Sequence, residues 1–395
     1  MNSENDSYAV WSDVNVTTTS SLSLWTNGAE STCNGTEMPL LDEAAWVNKI
    51  ITPFIYTLGF PGNSISFLIW IRPKMRHSSG VYLAALALAD FIFLVLHFMF
   101  ELNTVWGVPL LSYPVLCEGF TIIFLTFQYL APLLVLSFTV ERYISICHPF
   151  KREQFCTTHR ARIVSISLAL GCLATCGIQG YFWTYTGDED GCTLRATVIA
   201  GDSASLWSIW SYVTETLMFL VVPLSVLVFN ILVIREAKRL SEYEETQLHG
   251  RSHKTSATTI MLLVVSFYLI ITTLPATIVY ATGPIFTPGK ACDDPARKSY
   301  GIYLLIRSIA EEIGISHFAL NFYIYMVTGK QFREEFKRLF GLKRTKPHPE
   351  KLGTEYTTLR SSFQGSLKKN LTVRMTSNGT ESVNHKRQNG SESSV

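Results

Sequence analysis

The chain is poor in charge, because Lys, Arg, Asp and Glu together make up 16% of its 395 residues whereas hydrophobic residues make up 48%. A soluble domain carries about a quarter charged residues. The shortage argues against an ordinary water-soluble protein and favours a membrane protein. The net charge of +2 is too small to indicate a class of partner, and no nucleic-acid partner is expected.

Motifs of enzyme chemistry are also missing. The sequence contains no metal-ligand cluster, phosphate-binding loop or nucleophile elbow, so we do not expect an enzyme. Internal repeats with interrupted helices at matching positions, which are typical of secondary transporters, are not found either. A transporter is therefore the less favoured alternative.

Seven long apolar stretches are present instead. Each exceeds the roughly 20 residues needed to cross about 30 Å of hydrocarbon. Each must be a helix, because no water at that depth satisfies the backbone. The stretches are 46–71, 80–102, 116–147, 162–183, 206–234, 258–284 and 300–327. We predict an all-α membrane protein whose seven-transmembrane helix bundle occupies residues 46–328.

Basic residues are missing from one side of the predicted bundle. Residues 1–45 and the connection between the second and third stretches contain no Lys or Arg, whereas the chain after the first, third, fifth and seventh stretches is basic. The positive-inside rule therefore places the N-terminus outside the cell and the C-terminus inside. Residues 1–45 are expected to form an extracellular tail with glycosylation acceptors at Asn5, Asn15 and Asn34.

The eight cysteines divide between the two sides of the membrane. Cys33, Cys117, Cys192 and Cys292 fall on the outer side, where disulfides persist. Sequence alone allows three pairings of four cysteines. We expect Cys117 to bond with Cys192, which would hold the longest outer loop over the bundle, and Cys33 to bond with Cys292.

Motifs inside the stretches resemble those of rhodopsin-like G-protein-coupled receptors, over about residues 46–341. They are Gly62-Asn63, Leu86-Ala87-Leu88-Ala89-Asp90, Cys117, Glu141-Arg142-Tyr143, Pro223, Pro275 and Asn321-Phe322-Tyr323-Ile324-Tyr325. The order of the set is more specific than any one motif. Residues 320–325 and 329–333 are similar to invertebrate neuropeptide receptors of the FMRFamide-receptor-like kind.

The resemblance implies an activation switch on the inner side. An arginine at a membrane boundary is costly and is functional by default, and in this family it leaves its acidic neighbour to contact a heterotrimeric G protein. The implied switch residues are Glu141, Arg142, Tyr143, Pro275, Asn321 and Tyr325. The family also implies a polar network of Asn63, Asp90 and Asn321. A sodium ion near Asp90 is the only non-protein group that the resemblance suggests, and a purely structural polar contact is the alternative.

The resemblance also limits the ligand. Phe124 stands where amine receptors have an aspartate, and Ile315 where visual pigments have a lysine. Acidic residues gather toward the outer side instead, which suits a peptide with a basic residue. The expected ligand-binding residues are Glu101, Phe124, Gln128, Glu215, Arg307 and Glu311. Arg307 and Glu311 are four apart on one helix face, so pairing with each other is the alternative. A chemosensory or small-lipid receptor of the same fold is the alternative to a neuropeptide receptor.

The chain after the seventh stretch is expected to begin with an amphipathic helix at 329–341 that lies on the inner leaflet. Residues 342–395 are rich in Ser, Thr, Asn and Gly and are expected to be disordered. The resemblance implies phosphorylation of this tail and docking of arrestin. The final Ser393-Ser394-Val395 fits the C-terminal ligand of a PDZ domain. The expected location is the plasma membrane, with several passes.

Overall fold

The computed structural model describes residues 40–187, 191–200, 205–247, 257–286 and 295–342. Its main elements are α1 (Leu41–Trp70), α2 (Ser78–Thr104), α3 (Leu116–Cys147), β1 (Trp183–Tyr185), β2 (Cys192–Leu194), α4 (Thr158–Cys176), α5 (Leu206–Thr216, a π-helical segment Leu217–Val221, and Val222–Gln247), α6 (Ala257–Thr282), α7 (Pro295–Thr328) and α8 (Lys330–Leu339). Shorter helical pieces are Pro73–Met75, Pro149–Phe155, Gln179–Phe182, Ala196–Ile199 and Gly283–Ile285.

Several predicted features lie outside the described residues. They are the second disulfide, the three glycosylation acceptors, and the tail with its phosphorylation sites and PDZ ligand. The residues concerned are Cys33, Cys292, Asn5, Asn15, Asn34 and 343–395. These features stay predictions.

Within the described residues, five helical segments are long and apolar enough to cross a membrane, which indicates a membrane protein. They are Ser78–Thr104, Leu116–Cys147, Thr158–Phe182, Leu206–Glu242 and Thr259–Thr282. The helices α1 and α7 have sufficient length, with 30 and 34 residues, but a more polar composition. Proline and asparagine residues lie within α1, and α7 carries charged residues in its N-terminal half.

The predicted boundaries of a stretch agree best with the ends of the helix where the apolar run stops abruptly. The third stretch, 116–147, coincides with α3. The fifth stretch, 206–234, lies within α5, which continues beyond residue 234 to Gln247. Charged residues that would lie in water extend this helix, and an apolar run cannot reveal them.

The helices pack into a closed bundle in which α7 contacts both α1 and α6, and α3 contacts α2, α4 and α5. Leu83, Leu94, Leu134 and Phe138 are completely buried in its core. Small residues allow close approach: a Cβ on Gly59 of α1 would lie 2.4 Å from the Leu94 side chain. Large apolar side chains cover the outside of the bundle, as expected for a surface that faces lipid.

A proline shapes the contact between α5 and α6. Pro223 has no backbone N–H, so the carbonyl of Phe219, four residues earlier, loses its helical donor. The π-helical segment Leu217–Val221 ends two residues before this proline. The hydroxyl of Thr277 on α6 donates to the Phe219 carbonyl at 3.0 Å. The missing bond in α5 is thus replaced by one that joins the two helices.

The connection between α4 and α5, on the side of the bundle that is predicted to be the outer one, folds back over α3. Within it Trp183–Tyr185 pairs antiparallel with Cys192–Leu194, with Tyr185 opposite Cys192. A disulfide joins Cys192 to Cys117 at the start of α3, which confirms the predicted first bridge. The buried rings of Trp183 and Trp207 pack beside it. The loop is therefore fixed to the outer end of the bundle.

The predicted amphipathic segment contains the helix α8. Its Phe332 is buried, with its ring centroid 5.3 Å from those of Trp70 and Tyr325. Its Glu335 forms an ion pair with Arg72 at 3.2 Å. These contacts hold α8 against the inner ends of α1 and α7.

Candidate functional site

The inner functional region begins at the N-terminus of α2. The Nδ1 atom of His77 accepts a hydrogen bond from the backbone N–H of Gly80 at 3.0 Å and caps the helix. A Cβ on Gly80 would lie 2.1 Å from the carbonyl oxygen of Met75, so only glycine fits. The first turn of α2, with Ser78 and Ser79, is consequently held in one place against α3.

The two serines contact the predicted switch. The hydroxyls of Ser78 and Ser79 donate to Glu141 Oε1 at 2.7 and 3.0 Å. The Nη2 atom of Arg142 donates to Ser79 Oγ. The expected direct pair between Arg142 and Glu141 is not among the ion pairs of the described residues, because adjacent residues on a helix do not face each other. The sequence analysis missed both serines.

Two titratable groups lie beside this cluster and outside the predicted spans. Burial, followed by the positive charge of Arg142, lowers the pKa of His77 from its ordinary 6.5 to about 4. At neutral pH His77 is therefore uncharged, as its role as a cap acceptor requires. The thiol of Cys156 donates to the Glu141 carbonyl at 3.7 Å, and burial raises the pKa of that thiol. Tyr143 points elsewhere, with its ring 5.4 Å from that of Phe229 on α5.

Of the two hydrogen bonds that the predicted polar network requires at Asp90, one is present. Asn321 donates to Asp90 Oδ2 at 2.8 Å. Asn63 instead donates to the carbonyl of Phe318 at 2.7 Å, which corrects the expectation that it bonds to Asp90. Among the described residues, Asp90 Oδ1 and Asn63 Oδ1 are buried without a hydrogen-bond partner. Such oxygen atoms suit a hard cation, so the residues present fit a sodium ion.

Two further switch residues are placed by packing. Tyr325 is completely buried, and its ring lies edge-on to that of Trp70 at 5.5 Å. Pro275 lies inside the helix α6. Neither residue contacts Arg142 in the hydrogen bonds found for the described part of the chain.

On the outer side, Arg307 and Glu311 neutralise each other. Arg307 Nε lies 3.1 Å from Glu311 Oε1, and the hydroxyl of Tyr280 donates to the same oxygen. The guanidinium carbon of Arg307 lies 5.0 Å above the Tyr280 ring, a favourable cation–π contact. Of the two interpretations drawn from their spacing, mutual pairing is the one observed. Glu311 is therefore a weaker partner for a ligand cation than the sequence suggested.

Glu101 and Glu312 form a different arrangement. Both are buried, with 6% and 4% of their surface exposed. Glu312 accepts a hydrogen bond from Thr52 of α1. Within the described part of the chain neither carboxyl group forms an ion pair with Lys or Arg. A buried carboxyl group without a cationic partner is costly to ionise, and a cation that binds beside it stabilises the charged form.

The sequence analysis missed Glu312 as a site residue. Consecutive residues on a helix point about 100° apart, so Glu311 and Glu312 meet different neighbours. Glu311 turns to Tyr280 of α6, whereas Glu312 turns to Thr52 of α1. The one available signal was that two adjacent carboxylates on a helix cannot share one lysine or arginine.

Glu215 lies apart from these carboxylates. It accepts a hydrogen bond from the hydroxyl of Tyr129 on α3 at 2.9 Å. Phe124 belongs to an aromatic cluster, with its ring centroid 5.3 Å from that of Phe93. Gln128, one turn further along α3, is half-buried.

The chain is similar in sequence to several known proteins. The family model described as "7 transmembrane receptor (rhodopsin family)" matches residues 64–325. The chain is 23% identical over 385 residues to the FMRFamide receptor of Drosophila melanogaster, covering 90% of this chain and 65% of the fly protein. It is 22% identical over 315 residues to neuromedin-U receptor 2 of Mus musculus, covering 76% and 77% of the two chains. It is 34% identical over 126 residues to the thyrotropin-releasing hormone receptor of Homo sapiens, covering 30% of each.

Proposed function

Because the chain belongs to the rhodopsin family of seven-transmembrane receptors, we propose that it is a plasma-membrane receptor that transmits the binding of an extracellular neuropeptide to a heterotrimeric G protein. Members of this family are receptors and not enzymes. The similar proteins named above are peptide receptors by their printed names. In this proposal α1 to α7 all cross the membrane, the N-terminus is extracellular, and α8 lies on the inner leaflet.

The observation that carries the ligand class is the pair of buried carboxylates, Glu101 and Glu312. Neither has a cationic partner among the described residues. A ligand ammonium or guanidinium group would supply that partner and stabilise the charged form of each carboxyl group. A peptide with a basic residue supplies such a group together with apolar side chains for the aromatic cluster around Phe124.

A receptor for a neutral or anionic lipid, or for a chemosensory ligand without positive charge, is the second candidate. It would share the aromatic cluster but leave the two carboxylates uncompensated. The carboxylates therefore favour the peptide.

On the inner side, Arg142 is the group that would meet the G protein once it leaves Ser79. Asp90 and Asn63, with their free oxygens, would hold a sodium ion. Arrestin binding to the phosphorylated tail and binding of a PDZ protein at Val395 complete the proposal.

The experiment is a screen of neuropeptides against the receptor in reporter cells, with calcium and cyclic AMP measured separately. The expected result is a response to peptides that contain Arg or Lys. That response should be lost when a neutral residue replaces the Arg or Lys of the peptide. Equal responses to charged and neutral analogues would contradict the assigned role of the carboxylates.

A further inference from the structure

Glu141 and Arg142 are adjacent on α3, and no ion pair between them is found among the described residues. Their side chains leave the helix about 100° apart, so each can meet a neighbour from another helix. A group from another helix that contacts both can therefore link them.

Ser79 of α2 supplies that link. It is completely buried, its hydroxyl donates to Glu141 Oε1 at 3.0 Å, and its oxygen accepts from Arg142 Nη2. A hydroxyl has one hydrogen and two acceptor lone pairs. Once the hydrogen points to the carboxylate, the lone pairs are available to the guanidinium. Ser79 can therefore donate to Glu141 and accept from Arg142 at the same time.

The neighbouring Ser78 makes only half of this arrangement. Its hydroxyl donates to the same Glu141 oxygen at 2.7 Å, and no hydrogen bond to Arg142 is found for it in the described part of the chain. Within the described residues, both serines therefore donate to Glu141, whereas only Ser79 also contacts Arg142. This difference makes Ser78 a matched control for Ser79.

We propose that Ser79 is a positioning residue that ties the Arg142 guanidinium to α2 and so withholds it from a cytoplasmic partner. The proposal rests on the proposed coupling to a G protein. It depends on a fixed first turn of α2, which the His77 cap and the tight fit of Gly80 provide.

Loss of the Ser79 hydroxyl should release the arginine. Arg142 is half-buried, and its Nε atom already has no hydrogen-bond partner among the described residues. A charged donor left without a partner away from water is unfavourable. The guanidinium then gains more by moving to water or to a bound protein than by staying beside α2.

The first test measures ligand-independent G-protein dissociation at equal cell-surface expression. Ser79→Ala should raise it by about tenfold, from the loss of one hydrogen bond to a charged group. Ser79→Thr, which keeps the hydroxyl, should raise it less than Ser79→Ala does, and so should Ser78→Ala, which removes a donor to Glu141 but no contact with Arg142. The double variant Ser79→Ala with Arg142→Ala should lose the gain. An increase in Ser78→Ala equal to that in Ser79→Ala would overturn the proposal.

The second test does not depend on signalling. Purified receptor is treated with phenylglyoxal, which modifies accessible arginines, and the modification of Arg142 is followed by mass spectrometry. Ser79→Ala should speed this modification several-fold, whereas Ser78→Ala should not. An unchanged rate would refute the positioning role. A faster rate without G-protein activation by any variant would support the positioning role and refute the proposed coupling.

Discussion

Replacement of Glu101 by glutamine removes one charge from the outer pocket and keeps the shape of the side chain. Glu101 is buried beside Glu312, and we expect a ligand cation to be held between the two. Truncation of one member of a buried charge pair typically loses about 2–5 kcal/mol. Because Glu312 retains its charge, we expect the lower part of this range. Glu101→Gln should weaken a basic peptide by at least about tenfold, since 1.4 kcal/mol corresponds to a factor of ten.

The assay is a concentration–response curve, measured with a basic peptide agonist and with an analogue in which a neutral residue replaces its Arg or Lys. Glu101→Gln should reduce the potency of the basic peptide and leave that of the neutral analogue almost unchanged. Glu312→Gln should behave in the same way. The control is Glu118→Gln at the outer end of α3, where a partly exposed carboxylate lies 3.9 Å from Arg195. Such a pair contributes little, so its removal should change potency little.

The result that would refute this reasoning is specific. If Glu101→Gln, Glu312→Gln and Glu215→Gln all kept wild-type potency toward every active peptide, the carboxylates would be structural. An equal loss of potency for the basic and the neutral peptide would also count against direct pairing, since it would indicate general damage to the bundle.

Three further predictions concern other parts of the molecule. Arg142→Ala should abolish G-protein activation while radioligand binding stays within about threefold of wild type, because the arginine lies at the inner end of α3; normal signalling would contradict the switch. Cys117→Ala, which frees Cys192 and the outer loop, should lose ligand binding at the cell surface, and retained affinity would contradict the structural role of the bridge. Since the pKa of His77 is about 4 when folded and 6.5 ordinarily, protonation favours the unfolded chain, so stability is lost as pH falls from about 6.5 to about 4. His77→Asn, which keeps a cap acceptor, should show a smaller fall in melting temperature over that range, and an equal fall would be contrary to this assignment.

Features that depend on neighbouring residues along the chain could be predicted from the sequence. The apolar run at 116–147 fixes α3 at both ends. The spacing of Arg307 and Glu311 offered their pairing as one of two interpretations, because residues four apart share a helix face. The helix after the seventh stretch also follows from local periodicity.

Contacts between helices distant in sequence could not be predicted in this way. Ser79 lies far from Arg142 along the chain, and no local pattern shows that the two meet. The same holds for Glu312 and Thr52. Asn63 was expected to bond to Asp90 by resemblance, but its amide meets a backbone carbonyl. Such contacts depend on the rotation of each helix in the bundle.

The central claim is that occupation of the outer pocket by a peptide releases Arg142 to a G protein. The most direct measurement is peptide-induced G-protein dissociation in cells that display wild type or Arg142→Ala in equal amounts at the surface, with binding of the same peptide measured in parallel. We predict that both proteins bind the peptide and that only the wild type activates the G protein. Equal activation by the two proteins would contradict the claim.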